Sequence, residues 1–547
     1  MVGKERFIDA AFRALDGGDL EGADQALVQA SCIKPEYAIA SYNMGVLRNR
    51  VVGAQAAVLC YTRALMVAPS YAAAASNLAD ALLATGQGAR AEVVCLDVLR
   101  HVPTSGQVLL NLALVRTSLG RREEAEQDCR RALCAAPALA SAWRAIALLI
   151  HERPSVADRC YQRAWVSGLR VPAVLVNRGE IAQREGRITN ARAFYESALS
   201  CDPYNPDARA NLAAASVDDG DFDSARKHAS AVLSRHPEHP LARWIDTWIA
   251  LAFRDFKHGY EAYDDPWHST GSGSHQHMRS IPLWDGGAVN GAILIWCGQG
   301  LGDEVLYAGM IPDLLDFGVE VVLEADRRLV SIFQRSWPEV RVIARGREVP
   351  GDVVAQSSSV RLPMYFRRSL EEFPVRRSYL IPDSDRVEHY REAFNRQRGQ
   401  SSVGFSWRSG NPRTGAQKST RLSDWAALFD LPGFIFYSLQ YDAGGEGHPS
   451  LQANPGPDVK DDIEGLAAQI AALDHVIGIA GVTSHLAGAL GASGHVLLPP
   501  APLWYWFAEG SDCPWYPSLT LVRRGVDETW GPTISRLVEE VRNHLSG

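Results

Sequence analysis

"AILIWCGQGLGDEVLY", from Ala292 to Tyr307, joins an apolar run to a glycine-studded turn and then to an acid that opens a helical pattern. A short apolar run followed by a turn and a helix is the opening of a strand–turn–helix unit, from which parallel sheets are built. A dinucleotide-binding turn would read GxGxxG, with an acid about 20 residues on. Here the order is Gly298-Gln299-Gly300-Leu301-Gly302-Asp303. Glu324 stands where a ribose-binding acid would, but the glycine spacing argues against a nicotinamide dinucleotide.

The alternation continues downstream. "VEVVLEA" and "VRVIA" read as strands, and 303–317 and 327–337 as helices. A second series runs "SSVGFSW", helix 422–430, "FIFYSLQ", helix 463–474, "HVIGI", helix 483–492, "HVLLP", "LTLVRR" and a terminal helix 529–545. Short buried strands between helices predict two Rossmann-like lobes facing across a cleft, 291–382 and 401–547, joined by a linker helix at 383–400. Upstream, "DDPWHSTGSGSHQHMRS" breaks the helical rhythm, and 264–290 reads as a linker. His275 and His277 within it lack a third ligand at metal-binding spacing and read as loop histidines.

The first half, 1–263, is a repeat array. Pro35, Pro69, Pro103 and Pro137 each stand 34 residues after the last, and Pro203 and Pro237 resume the spacing. Ala23, Ala57, Ala91, Ala125, Ala191 and Ala225 keep phase with them, each 12 residues before a proline. Small residues let two antiparallel helices approach closely, and a proline closes each pair. This pattern resembles the tetratricopeptide repeat over roughly residues 4–237. The fifth unit is shortened and carries Pro154, where a bend in the superhelix is expected, and 241–265 reads as a capping helix pair.

Asn43, Asn77, Asn111, Asn177 and Asn211 share one register. An amide row can grip the main chain of an extended peptide, or it can tie neighbouring repeats together. Beside it Ile39, Tyr42, Val46, Leu83, Leu110, Leu114, Leu148 and Val176 make an apolar groove suited to a protein partner with an apolar segment.

Bulk properties narrow the field. A length of 547 residues allows about three or four domains. A net charge of −8 and a pI near 6.0 argue against nucleic acid as the main partner. No run spans a bilayer, and "MVGKERFIDAAFRALDGGD" lacks a signal peptide's apolar core, so a cytoplasmic location is expected. The nine cysteines show no CxxC pair and read as reduced, core-filling thiols.

"WDGG…GAILIWCGQGLGDEVLYAGMIPDLL", "VGFSWRSGNP…K", "YSLQ", "IAALDHVIGIAGVTSHLAGALG" and "CPWYPS", in that order, resemble a bacterial family of repeat-containing glycosyltransferases whose catalytic half is similar to ADP-heptose glycosyltransferases of the GT-B fold. The likeness covers nearly all of the chain from Trp284 onward. It implies an α-solenoid followed by a GT-B pair of lobes, with the first lobe on the acceptor side and the second on the donor side. The activity it implies is inverting transfer of a sugar from a nucleotide-sugar donor to Ser or Thr of a protein held by the repeats. Flagellin is a candidate acceptor. A metal-independent reaction with no cofactor is implied. A repeat-based scaffold with a degenerate transferase lobe is the alternative.

By that resemblance Gly302-Asp303 supplies the acid facing the acceptor, with Glu304 as second candidate and Gly300 and Gly302 leaving room for substrate. Inverting transfer needs a base, and a carboxylate at a helix start is expected to be held ionised by the amide dipoles; N-capping is the simpler role for Asp303. On the donor side Ser406, Arg408, Ser409 and Lys418 suit phosphate, Gln440 lies where the family contacts the nucleotide, and Thr483, Ser484 and His485 open a helix whose amides can bind phosphate. Many relatives carry Asp-Thr where this chain has Ala480-Gly481, which marks a different donor, such as a CMP-linked nonulosonic acid, or an inactive lobe. Asp383-Ser384-Asp385 has the form of a metal motif but sits at a helix start, where capping explains it, and capping is also the simple account of Asp462. The aromatic stretch 503–518 suits either stacking on a ligand or packing between lobes.

Overall fold

The computed structural model describes residues 10–262, apart from 12, 15–18 and 34–37, and residues 280–545, apart from 299, 395–399, 412–414, 442–446 and 457–458. Most of the linker at 264–290, with His275 and His277, lies outside the described residues. The chain forms two compact units, Met1–Glu185 with Thr189–Ala208, and Gly186–Ile188 with Arg209–Gly547.

The first unit is a run of antiparallel helix pairs. Ala38–Val51 pairs with Ala54–Val67, Ala72–Ala84 with Gly88–His101, and Gly106–Ser118 with Arg122–Ala135. Ala140–Leu149 pairs with Pro154–Val166. Ala57, Ala91 and Ala125 are fully buried where paired helices touch. Two glycines make closer approaches still: a β-carbon at Gly45 would lie 2.5 Å from the Tyr61 ring, and one at Gly179 2.3 Å from the Tyr195 ring. Pro154 is the first helical residue of its helix, where a missing N–H costs nothing, so it opens an element rather than breaking one.

The amide row settles into repeat packing. Asn77 Nδ2 donates to the Tyr42 hydroxyl at 3.3 Å and Asn177 Nδ2 to the Tyr161 hydroxyl at 3.0 Å. Asn111 is buried, with Nδ2 donating to the Ser76 carbonyl of the preceding pair at 3.2 Å and Oδ1 accepting from Gln107. Asn43 and Asn211 are half-buried. The Nδ2 groups of Asn77 and Asn177 and the whole Asn111 amide therefore bond within the array, the second of the two roles open to this register. Leu110 and Val176 are buried too, whereas Ile39, Val46, Leu114 and Leu148 remain exposed. Cys60, Cys95, Cys129 and Cys160 fill the core as expected, but Cys134 and Cys201 are exposed.

The second unit takes in the helix Pro206–Asp218 from Arg209 onward, then the helices Phe222–Leu233, Pro240–Ala252 and Phe256–Ala262. The last two do more than shield a repeat. Ile245, Trp248, Leu251 and Phe256 share one apolar core with Trp504, Trp506 and Phe507, and the Ala508 amide donates to the Ala252 carbonyl at 2.8 Å.

Two all-parallel sheets follow. β1 (Ala292–Trp296), β2 (Glu320–Ala325), β3 (Arg341–Ala344) and β4 (Val353–Ser358) run in the order β3-β2-β1-β4. β5 (Ser401–Ser406), β6 (Phe434–Ser438), β7 (Leu451–Gln452), β8 (His475–Ile479), β9 (Gly494–Leu498) and β10 (Leu519–Arg523) run β10-β9-β8-β5-β6-β7. Counted within that sheet this is the 3-2-1-4-5-6 order of doubly wound dinucleotide-binding domains, with its switch point between β5 and β8. β4 escapes the sequence pattern because its second half is polar; Gln356, Ser357 and Ser358 are buried, and Gln356 Oε1 accepts from Trp296 Nε1 at 2.6 Å. Asp383 caps the helix Ser384–Ala393, and Asp462 caps Ile463–Ala472. Among the described residues no helix is long and apolar enough to cross a membrane.

Gly179→Ala is expected to lower stability by about 1–3 kcal/mol, because a methyl group there must displace the Tyr195 ring. The urea midpoint followed by circular dichroism, with exposed Ser197→Ala as reference, reports it.

Candidate functional site

Ligands of open parallel sheets lie beyond the carboxyl ends of the strands, at the switch point. A cavity of about 660 Å³ lies there, lined by Ser406 at the end of β5, Ile479 at the end of β8, and Gly300, Gly302 and Asp303 of the turn after β1. Arg408, Ser409, Lys418, Gln440, Thr483 and His485 also face it, so most of the expected site residues converge.

Asp303 sits in the first turn of the helix Leu301–Ala308. Its Oδ2 accepts from the Gly300 amide at 3.1 Å and its Oδ1 from the Tyr505 hydroxyl at 3.1 Å. Burial pushes its carboxyl pKa up, against the pull of these hydrogen bonds and of the Lys418 charge. This corrects the expectation that the helix start holds it ionised: desolvation outweighs the amides. Lys418 is shifted down by burial, with Asp303 acting in the opposite sense.

Glu304 turns away from this cavity. It is buried in the first lobe, paired with Arg345, and its Oε2 accepts from the Asp326 amide at 2.7 Å. Burial raises its pKa to about 7 despite these partners. Its geometry is that of a lobe-internal anchor.

The residues expected on the donor side divide by what already occupies them. Gln440 Oε1 accepts from the Trp407 and Arg408 amides at 3.0 and 2.8 Å, and its Nε2 donates to the Arg408 and Tyr441 carbonyls at 3.0 and 2.6 Å. That amide shapes the loop after β5 and has no donor left for a ligand. Ser484 is buried, its hydroxyl donating to the Ile479 carbonyl at 2.7 Å, and it does not line the cavity. Thr483 and His485 do. The helix Val482–Leu490 starts at Gly481 without a side-chain cap, which leaves its first amides open. Arg408 is exposed at the rim.

His485 is not a cation. Burial, reinforced by the Lys418 charge, lowers its pKa to about 3. Its Nδ1 is 2.9 Å from the Tyr516 hydroxyl, and its ring packs 4.9 Å from Trp506 and 5.5 Å from Tyr505. A β-carbon at Gly302 would lie 2.7 Å from His485 Cδ2.

Four further residues complete the site. Tyr505 holds Asp303, Trp244 and Asp218 form a wall, and Arg328 donates to the Lys460 carbonyl across the lobes at 2.9 Å. Tyr505 lies in the aromatic stretch that attracted notice; no local pattern marks the other three.

The helical pairs are tetratricopeptide repeats. Models of that family match residues 106–138, 144–206 and 182–243. The chain is similar to Protein FlbA of Caulobacter vibrioides, 25% identical over 577 residues, covering 99% of this chain and 90% of that protein. It is 26% identical over 272 residues to Cellulose synthase operon protein C of Pseudomonas fluorescens, covering 45% of this chain and 21% of that protein. Among solved structures, a tetratricopeptide repeat protein from Parabacteroides merdae is 18% identical with a TM-score of 0.36, covering 44% of this chain and 96% of that one.

Because the folded Glu304 pKa of about 7 lies above the ordinary value of 4.5, the native state binds the extra proton between these values. Its contribution to stability is therefore greatest below pH 4.5 and falls as pH rises to about 7, by a few kcal/mol. Glu304→Gln is expected to flatten the decline of the urea midpoint between pH 5 and pH 8; an unchanged slope contradicts the assignment.

Proposed function

We propose that the chain is an inverting glycosyltransferase of GT-B architecture that transfers a sugar from a nucleotide-sugar donor to Ser or Thr of a protein acceptor. The observation that carries this reading is the cavity at the switch point, where Asp303 of the first lobe faces the cationic Lys418 and Arg408 of the second. A carboxylate raised by burial is a stronger base than an exposed one. It takes the proton of the acceptor hydroxyl as that oxygen bonds to the anomeric carbon. The bond from that carbon to phosphate breaks, and the nucleotide leaves with the electron pair. Lys418, Arg408, the hydroxyls of Ser406 and Ser409 and the open amides before Thr483 are suited to the departing phosphates.

The repeats support a protein acceptor, since arrays of this kind offer extended surfaces to other chains. The exposed Ile39, Val46, Leu114 and Leu148 favour an apolar segment on that partner. Flagellin is the candidate acceptor by family resemblance, and a CMP-linked nonulosonic acid is a candidate donor because Ala480-Gly481 replaces the acid-bearing pair of many relatives. The same replacement favours the second reading, a scaffold whose transferase lobe binds no donor.

Asp303→Asn is expected to reduce transfer by about 10²–10⁴-fold, read as intact mass of a co-expressed flagellin, while leaving acceptor pull-down unchanged. Full transfer by this variant removes Asp303 from the chemistry. Calorimetry with ADP, UDP, GDP and CMP separates the two readings: binding of one nucleotide supports the transferase, and binding of none supports the scaffold.

A further inference from the structure

The strand order of the second sheet gives the cavity two ends. Arg408 and Lys418 follow β5, Gln440 follows β6 and Lys460 follows β7, so these lining residues share one end. Arg328, which donates to the Lys460 carbonyl, joins them there. β9 lies on the other side of β8, and the loop after it gives Pro499 and Leu503 to the opposite end. Asp303 reaches this second end directly: Tyr505, just past Leu503, donates to its Oδ1 at 3.1 Å.

Helices upstream of the sheets complete the β9 end. A β-carbon at Gly220 would lie 3.1 Å from Pro500 Cβ and 3.0 Å from Val526 Cγ2. The turn after the helix Pro206–Asp218 therefore rests on the loops after β9 and β10. Trp248, in the helix Pro240–Ala252, is 5% exposed and shares a core with Trp504 and Trp506. Trp244 stands one turn earlier, and residues four apart share a helix face. The face that packs on the aromatic loop thus runs on beyond that packing, and it lines the cavity with an indole that is 51% exposed. Leu503 lines the same end and is 42% exposed.

The chemistry of the two ends differs. Among the described residues that line the β9 end none is a cation, and Asp218 is an acid. Phosphate is drawn to the other end, where Arg328, Arg408, Lys418 and Lys460 line the cavity. In a displacement with inversion the entering oxygen comes from the face of the sugar opposite to the leaving group. With phosphate toward β5 and β6 and the base held by Tyr505, that face looks toward β9. A polypeptide delivering its hydroxyl there lies against Trp244 and Leu503. An apolar side chain on it takes both of them out of water, and tryptophan is a frequent anchor of such contacts. An acidic side chain meets an apolar wall and the Asp218 carboxylate.

We propose that Trp244 and Leu503 form an acceptor subsite that takes an apolar side chain next to the reacting Ser or Thr of an extended segment. Naming the occupant an acceptor rests on the transferase reading; binding of such a segment does not.

The test is nitrogen-15 NMR of the full chain labelled at tryptophan indoles, with Trp244 assigned from the signal missing in Trp244→Phe. The probes are two short peptides with a central serine, one flanked by Leu and Phe and the other by Asp, and inorganic phosphate. The apolar peptide is expected to shift the Trp244 signal, with a Kd raised about tenfold by Leu503→Ser, while the acidic peptide and phosphate leave it in place. Trp244→Ala is expected to slow transfer to a co-expressed flagellin about tenfold with nucleotide calorimetry unchanged, and Trp244→Phe to restore most of it. A Trp244 signal that the apolar peptide leaves unmoved, that both peptides move alike, or that phosphate moves overturns the proposal. The wild-type shifts decide the matter if a variant fails to fold. A peptide shift in a chain that binds no nucleotide defeats the transferase reading alone, and an unmoved indole in a chain that modifies flagellin defeats the subsite alone.

Discussion

The ring of His485 occupies the space that a side chain at position 302 would need. This contact joins the two sheets at their functional ends. It requires glycine in the turn after β1, and it brings the first turn of the helix Leu301–Ala308 against the first turn of Val482–Leu490. Asp303 is thereby placed over the switch point of the second sheet, with Tyr505 closing over it. The pKa shifts follow from the same closeness. Water that would solvate Asp303, Lys418 and His485 is displaced by protein, and all three move toward their neutral forms.

Much of the fold was legible because its signals are local. The 34-residue spacing of prolines and alanines marks each helix pair, since one pair needs only its own turn and its own small contact residues. Among the described residues eight of the ten strands announced themselves as apolar runs between turn residues, and the polar β4 and the two-residue β7 did not. In β4, Gln356 is tolerated because it bonds to the buried Trp296, a partner 60 residues away. The function of the helices Pro240–Ala252 and Phe256–Ala262 was hidden for the same reason: their partners, Trp504 to Phe507, lie some 250 residues on, and helical periodicity shows that a face is buried without showing what buries it.

At the site, residue types and turn positions were readable, whereas electrostatics and hydrogen-bond commitments were not. Asp303 is conspicuous as an acid after a strand and turn and took its expected role from the family resemblance, yet its ionisation was misjudged because burial beside Tyr505 and His485 is invisible in a linear pattern. Gln440 stands beyond β6 and Ser484 in the first turn of the helix Val482–Leu490, as expected, but the backbone had claimed their polar atoms. The asparagine register teaches the same lesson in the repeats, where Asn77 and Asn177 meet tyrosine hydroxyls and Asn111 a carbonyl. A periodic polar residue on a packed surface belongs first to the nearest unpaired atom.

The helices between Arg209 and Ala262 belong by their packing to the same compact unit as the sheets. A cut at the compositional break near residue 263 would therefore not release a self-sufficient α/β half. It would strip Ile245, Trp248 and Leu251 from a shared interior and leave Trp504, Trp506 and Phe507 facing solvent. Dissection of this protein into working pieces has to respect contacts rather than composition, carrying the final helix pairs along with the sheets as their missing wall.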